Sequence, residues 1–114
     1  MAASTGDLLQ GTLSILILKS LLSGPNHGFG VARWIEAATR DVLIIEEGSL
    51  YPALRRLEDK GWIESEWGVS DNNRRAKFYT ITGAGRTQLR TEAEIWMRYA
   101  GAVTRVLRTE PAIA

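Results

Sequence analysis

The 114-residue chain contains no cysteine, so neither a disulfide framework nor a thiolate metal site is open to it, and a reducing, cytoplasmic setting fits. It has one histidine, His27. With no metal-ligand spacing and no glycine-rich phosphate loop, the acidic pair Glu46 and Glu47 has no partners from which to build an acid–base or metal centre. No cofactor is therefore expected, and an enzyme is the most distant reading. Long apolar runs are missing too. The stretch at 13–22 is broken by Lys19, is preceded by Asp7 with no basic residue ahead of it, and falls short of the ~20 residues of a membrane span. A soluble, unprocessed chain without a membrane partner is expected. A net charge of +1 argues neither for nor against nucleic acid, so the local distribution of charge has to decide.

What is present is ordinary for a globular protein: 45% hydrophobic and 24% charged residues, in a length that suits one compact domain. Residues 7–22 are apolar nearly all round, as befits a helix buried on several sides. The run Ser23-Gly24-Pro25-Asn26 stops that helix and starts another, with Asn26 as its N-cap, Phe29, Ala32, Ile35 and Ala38 as its buried stripe, and an end near Thr39. Val42 to Ile45 form a β-rich run too short for a helix, a short strand or an extended linker.

The next stretch, GSLYPALRRLEDKGWIESEW, places Pro52 where a helix is otherwise indicated. Proline is tolerated in a first turn, where backbone N–H groups have no partner to lose, so Ser49 is expected as the N-cap. Leu50, Leu54 and Leu57 then point one way, and Ser49, Pro52, Arg55, Arg56 and Asp59 point outward. Gly61 ends the helix after Lys60. Residues 62–67 and 76–81 read as a hairpin closed by a loop at 68–75. Thr82 caps a last helix to about Arg108, along which Leu89, Ala93, Trp96, Ala100, Val103 and Leu107 recur with heptad spacing.

This order of elements describes a mainly α chain with a small β-hairpin wing. It is expected to be a winged helix-turn-helix DNA-binding domain over residues 7–81, followed by a C-terminal dimerisation helix over 82–110. The third helix is sized for a major groove, and the hairpin for the backbone or the neighbouring minor groove. From Gly48 to Arg90 eight basic residues face five acidic ones, an excess where a DNA face would lie. Arg55 and Arg56 can pair bidentately with phosphate or a guanine edge, and Arg74, Arg75 and Lys77 follow in the hairpin. Asn73 suits a turn at the hairpin tip, with groove contact secondary. A winged-helix module that binds protein instead of DNA is the alternative.

The phrases GPNHGFGVARWI, GSLYPALRRLEDKGWIESEW and RRAKFYTITGAGRTQL closely resemble the PadR family of bacterial transcriptional regulators, in order and across most of the chain. The resemblance implies a homodimer built by the first and last helices, here through Leu9, Leu13, Leu16, Leu89, Ala93, Trp96, Ala100, Val103 and Leu107. It implies a repressor that binds double-stranded operator DNA of two-fold symmetry and is released by a small molecule or another signal. The family's DNA face would fall on His27, Ser49, Tyr51, Pro52, Arg55, Arg74, Arg75 and Lys77. Trp96 resembles the tryptophan with which some short members stack a planar aromatic effector between subunits; a plain interface anchor is the other role open to it.

Overall fold

The computed structural model describes residues 12–112. Four helices and a three-stranded antiparallel sheet follow one another as α1 (Leu13–Ser20), a 3-10 turn (Leu21–Ser23), β1 (Asn26–His27), α2 (Gly28–Ala38), α3 (Glu47–Asp59), β2 (Ile63–Val69), β3 (Arg75–Ile81) and α4 (Gly83–Arg108). The sheet order is β1-β3-β2. This is the winged-helix arrangement.

Helix α1 forms the centre of the core. Leu13, Ile17, Leu18 and Leu21 are buried against Val31, Ala32 and Ile35 of α2, Leu50, Ala53, Leu54 and Leu57 of α3, and Ile63 and Ile81 of the hairpin. The i, i+4, i+7 spacing of Leu50, Leu54 and Leu57 turns one side of α3 inward and leaves the opposite side to solvent. The part of the first helix expected ahead of residue 12, with Leu9, lies outside the described residues.

Several local expectations are corrected. Asn26 does not cap α2, because it is spent in β1, opposite Tyr79; the cap is His27, whose Nδ1 accepts from Gly30 N at 3.0 Å. Nor is the buried stripe of α2 centred on Phe29 and Ala38, which are exposed. It runs through Gly28, Val31, Ala32 and Ile35, one residue round the helix from the expected line. Helix α3 starts earlier than expected, with Glu46 in the N-cap position and Ser49 already inside, where Leu50 N donates to Glu46 O. Pro52 therefore sits in the second turn and forfeits a bond to the Gly48 carbonyl, on an exposed flank where water can replace it.

The run at 42–45 makes no strand, because its backbone is already engaged by the end of α2. Glu36, buried at 4% exposure, accepts from Ile45 N at 2.9 Å and pairs with Arg33, and Thr39 Oγ1 accepts from Leu43 N. Arg40 and Asp41 turn the chain at positive φ, Ile45 enters the core, and Val42 and Ile44 face solvent. The strand that does join the hairpin is Asn26–His27, too short to show as a pattern.

Gly61, at φ 76°, closes α3 with two bonds, Trp62 N to Leu57 O and Gly61 N to Glu58 O, which satisfy carbonyls of the last turn. Thr82 then fastens α4 to this same corner. Its hydroxyl donates to Gly61 O at 2.7 Å and accepts from Gly85 N at 3.0 Å, and its own N–H donates to Trp62 O. Gly85 permits that approach, since a Cβ there would lie 2.0 Å from the Trp62 carbonyl oxygen. The hairpin is longer than expected, with Gly68 and Val69 paired to Ala76 and Arg75, leaving a turn of five residues at 70–74. Ser70 N donates to Arg74 O, and Asn73 adopts φ 60°.

Candidate nucleic-acid interface

Because side chains alternate along a strand, one face of the hairpin carries the rungs Ile63–Ile81, Ser65–Tyr79, Trp67–Lys77 and Val69–Arg75. The first rung belongs to the core. The same face then emerges beside the solvent side of α3, and between the two lies an open groove of about 710 Å³.

Of the residues expected to meet DNA, the groove brings together His27, Tyr51, Arg55, Arg74, Arg75 and Lys77. Ser49, Pro52 and Arg56 lie exposed on α3 but outside the groove, and Asn73 lies at the wing tip. Tyr51 lies close against α2, where the absence of a side chain on Gly28 makes room for it: a Cβ there would come within 2.9 Å of the Tyr51 ring and hydroxyl. His27 holds its place through two contacts, the capping bond from Gly30 and an edge-on contact of its ring with Phe78 at 5.3 Å. With Nδ1 accepting, Nε2 is the ring atom left to donate.

Phe29, Glu58, Trp67 and Tyr79 also line the groove and were missed. Phe29, assigned to the core from its spacing, is 65% exposed with the Arg33 guanidinium 5.3 Å from its ring centre. Trp67 carries the Arg75 guanidinium over its ring at 4.6 Å, a cation–π contact within the wing. The detectable signal for Trp67 was its alternation with Ile63 and Ser65 along β2. Tyr79 is buried, and burial pushes its phenol up, with the nearby charge of Glu58 adding to the effect and Arg55 opposing it. It stays a neutral hydroxyl, able to donate. Glu58 reaches the wing from α3, accepting from Ser65 Oγ and standing 3.8 Å from Lys77 Nζ.

The groove therefore gathers four cations, Arg55 from α3 and Arg74, Arg75 and Lys77 from the wing, with the aromatic rings of Phe29, Tyr51, Trp67 and Tyr79, as suits phosphates and apolar base or sugar edges. Among the described residues, no three His, Asp or Glu side chains group as a metal ion would require, and no helix is long and apolar enough to cross a membrane.

The residues assigned to a dimer contact are distributed along a gradient. Leu13 and Leu89 already belong to the core of the single chain, Leu16, Ala93 and Ala100 are half-buried, and Trp96, Val103 and Leu107 are exposed. Beside Trp96 an apolar hollow of about 290 Å³ is walled by Ile15, Leu16, Leu43, Ala93 and Met97.

Residues 17–91 match the family described as the transcriptional regulator PadR-like family. An uncharacterised protein of Lysinibacillus sphaericus is 34% identical over 91 residues, spanning 79% of this chain and 83% of its own. Among solved structures, a transcriptional regulator from Clostridium thermocellum superposes with a TM-score of 0.78 at 28% identity, covering 87% of this chain and 96% of that one. A PadR-like transcriptional regulator from Bacillus cereus does so with a TM-score of 0.76 at 26% identity, covering 90% and 98%.

Proposed function

The chain belongs to the PadR-like family of transcriptional regulators, and from that premise we propose that it is a homodimeric repressor that grips operator DNA in the groove between α3 and the wing. The observation that carries this reading is the convergence of Arg55 from the helix with Arg74, Arg75 and Lys77 from the hairpin on one open groove. Helix α3 enters the major groove, Arg55 reads a base edge or holds phosphate, and Arg56 adds charge beside it. The wing follows the backbone. His27, Ser49, Tyr51 and Pro52 set the height at which the helix rides, and Asn73 turns the wing tip.

Residues 7–81 form the reading domain in this proposal and 82–110 the dimerisation helix. The dimer forms along Leu9, Leu16, Ala93, Trp96, Ala100, Val103 and Leu107, backed from within each chain by Leu13 and Leu89. A second copy of the chain is the economical cover for the apolar face that α4 exposes. Release follows if an effector prefers a spacing of the two recognition helices that does not match the operator, since a ligand with equal affinity for both spacings shifts nothing. The apolar hollow at Trp96 suits a planar aromatic effector. No cofactor and no catalytic step are part of the mechanism, and the cytoplasm, where the operator is, is its place of action.

The test is Arg55→Ala, measured on a duplex selected from a random pool by the wild-type protein and on the same duplex with single mismatches. Loss of ~1–3 kcal/mol on the selected duplex, with discrimination relaxed at one position, assigns Arg55 to a base edge. An equal loss on every duplex assigns it to phosphate. No loss on any duplex removes Arg55 from the site.

A further inference from the structure

Glu58 is the one carboxylate among the residues that line the groove, where it stands with Arg55, Arg74, Arg75 and Lys77. An acid on a surface that meets phosphates lowers affinity by like-charge repulsion. Glu58 nevertheless has a defined position. It lies one turn beyond Arg55 on α3 and touches both strands of the wing: Ser65 Oγ of β2 donates to Oε2, and Lys77 Nζ of β3 lies 3.8 Å from Oε1. Among the described residues, no other side-chain hydrogen bond or ion pair joins α3 to the hairpin. The two contacts fall on the rungs Ser65–Tyr79 and Trp67–Lys77, where the sheet leaves the core and becomes the wing.

We propose that Glu58 is a positioning residue that sets the sequence specificity of the regulator, by holding the wing at one angle to α3 so that Arg55 and the wing cations meet a duplex in a single register. The inference rests on the α3–wing groove being the DNA face. A specific complex needs helix and wing contacts at a fixed separation. A non-specific complex needs only neutralised phosphates, which a swinging wing also supplies. Loss of the carboxylate therefore moves the two affinities in opposite directions. Specific binding loses its register, while non-specific binding gains from the removal of a negative charge. The Lys77 contact is partly exposed, with side-chain exposures of 42% and 33%, so it adds little to folding stability.

The experiment measures affinity for two duplexes: one selected from a random pool by the wild-type protein and a scrambled one of the same composition. Glu58→Ala is expected to reduce the ratio of the two affinities by about tenfold, the scale of one mismatched base pair, with binding to the scrambled duplex tighter. Glu58→Gln keeps an acceptor for Ser65 and should fall between the two. Ser65→Ala removes the anchor without altering any charge and should lower the ratio while the salt dependence stays that of the wild type. It also carries the test if Glu58→Ala folds poorly. Equal gains on both duplexes for Glu58→Ala, or a wild-type ratio for Ser65→Ala, would overturn the proposal. A wild-type protein that selects no duplex would instead defeat the assignment of the groove to DNA, so the two failures are told apart.

Discussion

At Trp96 a large ring stands next to small neighbours, with Ala93 and Ala100 one turn away on the same side of α4 and the ring 43% exposed. That combination leaves a slot wherever the residue is not fully covered, and the hollow beside it is walled by Ile15, Leu16, Leu43 and Met97, side chains without charge. Stacking and apolar burial are what such a slot offers a ligand, so a planar aromatic dye is the natural probe. Addition of the dye is expected to quench tryptophan fluorescence, and Trp96→Ala to abolish the quenching. Because the chain has four tryptophans, the variant is what assigns the signal. Quenching that survives in Trp96→Ala would place the dye elsewhere. Trp67 is the rival most worth watching, since it too is exposed and lines a groove.

Among the elements, the wing is the simplest to treat physically, because its contribution is charge. Arg74, Arg75 and Lys77 lie on β3 or the turn before it, all facing the side where phosphates would run. Replacing the three by alanine should lower the slope of log K against log salt by ~0.9 for each phosphate that a subunit no longer neutralises. Lys77 is also the residue that Glu58 holds, so its own share is expected to be the smallest of the three. An unchanged slope would leave all three as solvated side chains. The wing also marks what the sequence made legible. Its two strands were visible in their alternation, and α3 in the spacing of Leu50, Leu54 and Leu57. The ends of elements were not, because they depend on contacts distant in sequence. Asn26 is claimed by β3, and Glu36 captures Ile45 N and turns an apparent strand into a loop. Of the site, the cations could be read from charge alone. Phe29 could not, since its helical spacing suits the core as well as the surface, and Glu58 became visible as a wing contact only once α3 and β3 were side by side.

For the whole molecule, the decisive feature is what one chain cannot cover. Helix α4 has 26 residues, a length of about 39 Å at 1.5 Å per residue. Its buried residues, Gly85 and Leu89, both lie in its first two turns. Beyond them Ile95, Trp96, Met97, Tyr99, Val103, Val106 and Leu107 are exposed, a run of apolar side chains along one helix of the kind that an interaction surface carries. At its other end the helix is tied to the close of α3, where the Thr82 hydroxyl donates to Gly61 O. Pairing of two α4 helices would thus fix the distance between two recognition helices, and a two-fold operator would follow from a two-fold protein. The most direct test of this account is the mass, by light scattering, of the complex formed with a duplex selected from a random pool. The account predicts two chains of 12.6 kDa on each duplex, at protein concentrations where the free protein is already a dimer. One chain per duplex, or no complex with any duplex, would contradict it.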